Sequence, residues 1–447
     1  MSPRLDETHD PRLRSWVPSA RDAGTDFPLQ NLPLGVFRRR GSVEPRIGAA
    51  IGGEILDLPR TVAVGALGAL EPALHDTVQA RNLNPLMALG RPAARALRGL
   101  VHSLLREDSA RPRPPEECLV PMSSAELLLP AEIGDYTDFY ASIHHAMNVG
   151  SMFRPDQPLM PNYKWVPIGY HGRASSVVAS GTPIRRPRGQ VMGEGVAGGA
   201  PEQRPTAALD YECEVAAWVG RGNPLGEPVP IAAAEEHLFG LSLLDDWSAR
   251  DVQRWEYQPL GPFLAKSFGT TVSPWVVTLD ALEPFRVARA PRPEGDPGPL
   301  PYLDGMEDRT RGGLDLALTV SLRSARMREE GMEPMRVSCA RFAVLYWTVA
   351  QLLTHHASNG CNLRPGDLLA SGTVSGPAPE QRGCLLERTW RGTEPLALPT
   401  GESRRFLEDG DEVVIRGRCT REGFAPIGFG ECRGVILPAS EPGHETR

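Results

Sequence analysis

Short apolar runs punctuated by Gly and Pro occupy the first part of the chain. Phe27 to Phe37 and Arg46 to Leu58 have strand length and strand-like composition, and Gly52-Gly53 between two apolar runs suits a tight hairpin turn. Together they predict a small β unit. From Pro85 to Leu105 the period changes, with Leu86, Leu89, Ala93, Leu97, Leu100 and Leu104 recurring at helical spacing, before Arg106 to Pro115 dissolves into charge and proline. A domain boundary is expected between about 107 and 130.

Beyond residue 131 the pattern is mostly of short strands. Val215 to Val219, Leu238 to Leu244, Trp275 to Leu279, Leu316 to Leu322, Asp367 to Gly372 and Glu412 to Gly417 mostly lie close to Gly, Pro or Asp. The fold class is therefore mainly β (α+β), predominantly antiparallel. The clearest helix is expected over Ala340 to Ser358, ending at Asn359-Gly360. Pro291 to Gly313 reads as a surface insertion, and residues 1–25 as a loosely ordered N-terminal arm. No internal repeat or coiled-coil heptad is found.

Composition narrows the possibilities. The chain has 447 residues, with 48 Lys and Arg against 55 Asp and Glu, a net charge of -7 that argues against nucleic-acid binding. The longest apolar run, Phe342 to Leu353, contains Thr348 and Gln351 and is far shorter than the roughly 20 residues that span a bilayer. The first ten residues are polar and acidic, unlike a signal peptide. Seven Cys at irregular spacing suggest neither a disulfide framework nor a zinc site. A soluble cytoplasmic protein of two domains is expected, without membrane or nucleic-acid partners.

The candidate chemistry lies among the acids. Asp210, Glu212 and Glu214 alternate along a strand-like segment, so their carboxylates fall on one face. A solvated outer face would fit too, but the strand runs straight into Val215 to Val219. Anions a strand repeat apart repel unless a cation neutralises them. Asp135 and Asp138 lie in a second acidic stretch, and Asp245 and Asp246 in a third, where one of them could simply cap a helix. An oxygen-only set of Asp138, Glu212, Glu214 and Asp246 suits Mg2+ or Ca2+ and disfavours zinc.

His144 and His145 follow the first acidic stretch, and an imidazole is the natural general base near neutral pH. Arg250 and Gln253, three apart, share a face of one helical turn. Only two cations are lysines, Lys164 and Lys266. Lys266 sits among small and apolar residues, where a compact ammonium can donate to an oxyanion that a guanidinium fork would crowd; survival of two lysines by chance is the alternative.

Several motifs together resemble the fumarylacetoacetase family: Ile133-Gly-Asp-Tyr-Thr-Asp-Phe-Tyr, His145-Ala-Met-Asn-Val-Gly-Ser-Met-Phe-Arg, Gly169-Tyr-His-Gly-Arg-Ala, Asp246-Trp-Ser-Ala-Arg-Asp-Val-Gln, Lys266-Ser-Phe-Gly-Thr-Thr and Gly366-Asp-Leu-Leu-Ala-Ser-Gly-Thr-Val-Ser-Gly-Pro. The likeness extends to the N-terminal Asn31-Leu-Pro-Leu-Gly-Val-Phe, which shorter relatives of the catalytic domain lack. It implies an SH3-like β-barrel over 26–118, a mixed β-roll catalytic domain over 119–447, and a homodimer. It also implies hydrolysis of the carbon-carbon bond of 4-fumarylacetoacetate, a dianionic diketo acid, to fumarate and acetoacetate, the last step of tyrosine and phenylalanine breakdown.

Carried over residue by residue, the family's calcium ligands fall on Asp138, Glu212, Glu214 and Asp246, and a magnesium site on Asp246, Lys266 and Thr270, with Lys266 contributing its backbone carbonyl. The catalytic base falls on His145, oriented by Glu387, and substrate contacts on Tyr140, Arg154, Gln253, Tyr257 and Thr373. Arg250, Gln253 and Lys266 are the expected oxyanion donors, and Arg154 the carboxylate holder. Ile143, His144 and Met147 depart from the family pattern, and His144 leaves the choice of imidazole open. Acylpyruvate hydrolases and oxaloacetate decarboxylases share the catalytic domain and remain alternatives, as does a non-enzymatic cation-binding β protein.

Overall fold

The computed structural model describes residues 5–192 and 199–441. Two sheets carry the fold. The larger runs in the order Leu119–Pro121, Glu54–Asp57, Arg46–Ile51, Leu34–Arg39, Trp275–Thr278, Leu238–Asp246, Cys213–Val219, Leu368–Ala370, Tyr136–Phe139 and Gly169–Gly172. Its neighbours are antiparallel except Leu368–Ala370 with Tyr136–Phe139. Thr270–Val272 flanks the end of Leu238–Asp246 and itself pairs in parallel with Val177–Ala179. The smaller sheet, Met335–Arg341, Leu316–Arg323, Glu412–Cys419, Ile427–Leu437 and Ile184–Arg185, packs its apolar side into the same core.

Hairpin geometry at Gly52 and Gly53 is as the sequence predicts, with Gly52 at φ +58 between two paired strands. Five strands gather at this end, because Ala125–Leu128 also pairs with Leu34–Arg39. Thus 119–128 extends the N-terminal strands, and among the described residues no pairing closes them into a barrel. The sheet continues into the rest of the chain through Leu34 opposite Val276. Residues 28–33 form no strand, since Pro28 and Pro33 offer no N–H to a ladder.

Two further expectations are corrected and a third is refined. Residues 5–25 are packed rather than loose: Ser15 Oγ and Trp16 N donate to Leu105 O, and Trp16 Nε1 donates to Leu104 O. These bonds satisfy carbonyls that the end of helix Arg91–Leu105 leaves unpaired. The expected 340–358 helix is only Val349–Ala357, begun by a capping box between Thr348 and Gln351. Ala340 and Arg341 remain strand, opposite Leu318 and Ala317. Phe342 opens a single 3-10 turn, Phe342–Val344, and Leu345 and Trp347 follow it buried in irregular backbone, so their apolar run mimics a longer helix. The 291–313 insertion is docked, with Arg292 stacked over Tyr346 and Trp347, and Asp296 paired to Lys164. Among the described residues no helix is long and apolar enough to cross a membrane.

Candidate active site

Four carboxylates meet where adjoining strands of the large sheet end. Asp138 lies opposite Ala370, Glu214 opposite Leu244, and Asp246 opposite Thr270, while Glu212 immediately precedes strand Cys213–Val219. All four are buried, and each places an oxygen within 4.8 Å of the others. Asp210 alternates with them but turns away, accepting from the backbone N–H of Leu385 at 2.7 Å and Leu386 at 3.0 Å and pairing with Arg250. Neither Asp245 nor Asp246 caps helix Arg250–Glu256; Asp245 accepts from the Glu212 N–H at 3.1 Å.

The cluster is electrostatically unbalanced. Lys266 Nζ lies 2.5 Å from both Glu212 Oε2 and Asp246 Oδ2, and Arg250 Nη1 2.6 Å from Glu212 Oε1. Burial alone would raise Glu212, but these two cations outweigh it and hold Glu212 well below the usual carboxylate range. Burial and the neighbouring carboxylates push Asp138 and Glu214 far up. Asp138 Oδ1 and Glu214 Oε1 are buried without a hydrogen-bond partner among the described residues. Ionised together, the four acids, against two cations of which one also serves Asp210, would carry at least two uncompensated negative charges. Orphaned hard oxygen donors of this kind fit a divalent cation.

Gly372 shapes this corner. Its N–H donates to Glu214 Oε2 at 2.9 Å, its φ is +75, and a Cβ there would come within 2.1 Å of Phe139 O. Only glycine permits that approach.

Beside the acids stands a buried His–Glu pair. Ser142 begins helix Ile143–Phe153, its Oγ accepting from the His145 N–H and donating to Ser375 O, which fixes the first turn. His145 Nδ1 lies 2.6 Å from Glu387 Oε2. Glu387 also accepts from Ser375 Oγ at 2.7 Å, Asn148 Nδ2 at 2.8 Å and Cys384 Sγ at 3.2 Å. Burial opposes ionisation of Glu387, yet His145 and these donors prevail and hold it at about 2. Glu387 is therefore the acceptor and His145 Nδ1 the donor.

A cavity of about 440 Å3 joins the two groups. Asp138, Tyr140, His145, Arg154, Glu212, Arg250, Gln253, Tyr257, Lys266 and Thr373 line it, whereas Glu214, Asp246, Thr270 and Glu387 do not. Thr270 Oγ1 donates to Asp246 Oδ1 at 3.0 Å. His144 is half-buried and does not line the cavity. Arg250 Nη2 and Thr373 Oγ1 are buried without partners among the described residues, leaving polar atoms unsatisfied on lining residues. Sequence reasoning missed Tyr170, whose hydroxyl donates to Asp246 at 3.1 Å, along with Asn148 and Ser375. Asn148 stands three residues after His145 on one helix face, a signal that could have found it.

Comparison with known proteins bears on the whole chain. The Fumarylacetoacetate (FAA) hydrolase C-terminal family profile matches residues 136–437, and the Fumarylacetoacetase N-terminal profile residues 30–130. The chain is 51% identical to the fumarylacetoacetase of Bos taurus over 431 residues, covering 95% of this chain and 99% of that protein. It is 51% identical to that of Homo sapiens over 434 residues, covering 96% and 100%. A solved fumarylacetoacetate hydrolase from psychrophilic Exiguobacterium antarcticum is 18% identical, with a TM-score of 0.48 over 91% of this chain and 99% of that one.

Proposed function

The chain belongs to the fumarylacetoacetase family and is a hydrolase of fumarylacetoacetate, and on that premise we propose how its own residues carry out the reaction. The supporting observation is the His145–Glu387 pair opening on the same cavity as the four-acid cluster. With Nδ1–H committed to Glu387, Nε2 is the ring nitrogen left to take a proton from a cavity water. The resulting hydroxide adds to the carbonyl carbon on the fumaryl side.

Arg250 Nη2, free of any partner among the described residues, donates to the oxyanion so formed, with Gln253 and Lys266 beside it. Collapse breaks the carbon-carbon bond: its electron pair leaves on the acetoacetate carbon, and the proton held at His145 Nε2 passes to that carbon. Fumarate and acetoacetate result. Arg154 pairs with a substrate carboxylate, and Tyr140, Tyr257 and Thr373 hydrogen-bond the bound dianion.

Asp138, Glu212, Glu214 and Asp246 would hold a divalent cation, Ca2+ or Mg2+, with Thr270 and the Lys266 backbone carbonyl completing the set; when bound it supplies Lewis-acid polarisation of the diketone oxygens. The wider reading is of a cytoplasmic homodimer acting at the last step of tyrosine and phenylalanine breakdown, and family membership supports it. Turnover is followed as loss of the substrate's conjugated absorbance. Hydrolysis of fumarylacetoacetate in preference to acylpyruvates and oxaloacetate is expected, and the reverse preference would overturn the assignment.

A further inference from the structure

One face of helix Arg250–Glu256 and the residue after it is turned wholly to the cavity. Arg250, Gln253, Arg254 and Tyr257, at positions i, i+3, i+4 and i+7, all line it. Three of the four have roles above; Arg254 has none. Its guanidinium is exposed and has no hydrogen bond, ion pair or ring contact among the described residues. Arg154, the other arginine of the cavity without a role at the acids, lies deeper, with Nε buried and Nη2 donating to Pro158 O at 3.3 Å.

The substrate assigned above carries two carboxylates, and the chain that must admit it has a net charge of -7. Long-range repulsion therefore works against entry, and a local positive group at the opening offsets it. We propose that Arg254 is a second carboxylate-binding residue, holding the substrate carboxylate that reaches the cavity mouth while Arg154 holds the inner one. The proposal rests on the fumarylacetoacetate reading of the site. An unpaired arginine on a helix face gives up no existing partner to bind an anion, and its planar fork can take a carboxylate with two N–H groups. Being solvent-facing, the contact is weakened by salt.

The test compares wild type, Arg254→Gln and Arg254→Lys on fumarylacetoacetate and on its two monomethyl esters. Because the Arg254 side chain makes no hydrogen bond, ion pair or ring contact among the described residues, Arg254→Gln should melt with wild type. For the diacid, KM should rise about five- to tenfold at low ionic strength while kcat changes less than twofold, and Arg254→Lys should recover part of the loss. For one monoester, the one lacking the outer charge, KM should be the same in Arg254→Gln and wild type. An unchanged KM for the diacid would overturn the proposal, as would an equal rise for the diacid and both esters, which would indicate altered shape. Wild-type enzyme that fails to hydrolyse the diacid would instead remove the functional reading underneath, and the proposal with it.

Discussion

Glu387 Oε2 lies 2.6 Å from His145 Nδ1 although 242 residues separate them in the chain. Both are buried, and Asn148, Ser375 and Cys384 complete the shell of donors on the carboxylate. The carboxylate thus selects the imidazole tautomer that leaves Nε2 as acceptor.

Replacing Glu387 by Gln keeps the volume but removes the charge that holds the tautomer. We expect kcat to fall by roughly 10²- to 10⁴-fold with little change in KM. Steady-state kinetics on folded variant checks this, and kcat within a few-fold of wild type would remove the orienting role.

Glu214 Oε1 is a buried oxygen with no donor among the described residues. Glu214→Gln should therefore weaken divalent-cation binding. Calcium or magnesium at about 100 times Kd should stabilise wild type by about 2.7 kcal/mol and the variant by less at the same concentration. Chelation should abolish turnover, and adding either cation should restore it. Titration calorimetry giving identical isotherms for variant and wild type would contradict the cation site.

Lys266 reaches Glu212 and Asp246 together at 2.5 Å each, in a wall shared with Arg250. Lys266→Arg keeps the charge but brings a broader head into that space. Loss of activity by about 10²-fold or more is expected despite the conserved charge. Near-normal kinetics would show that charge alone suffices.

Much of this site is legible in sequence because acids alternating into an apolar strand, as Glu212 and Glu214 do, contradict an ordinary solvated face. The same alternation gives no warning that Asp210 leaves the set to hold Arg250, because that depends on the amides of Leu385 and Leu386 far downstream. Glu387 shows the same limit: family resemblance finds it, while no local pattern could. In the fold, short strands were readable from Gly and Pro punctuation, but the 3-10 turn and loop from Phe342 to Trp347 carry an apolar pattern that an α-helix would share. The packing of Ser15 and Trp16 onto the end of helix Arg91–Leu105 is a tertiary event invisible in a polar, proline-containing segment.

His102 is fully buried in that helix, and among the described residues neither ring nitrogen is hydrogen-bonded. Burial, with Arg98 and Arg106 nearby, lowers it from 6.5 to about 4. The unfolded chain then binds more protons than the folded one between those values, so stability should fall as pH drops from 6.5 towards 4. The contribution is up to roughly 3 kcal/mol. His102→Leu should flatten the dependence of melting temperature on pH across that window; an unchanged slope would assign the acid sensitivity to other groups.

The central claim is that His145 and the acid cluster serve one reaction through separate duties, base and cation holder. It is tested most directly by measuring fumarylacetoacetate turnover and divalent-cation binding on the same preparation of His145→Ala. Turnover reduced by about 10³-fold or more, with the cation isotherm of wild type, is the predicted result. Near-wild-type turnover in that variant would contradict it.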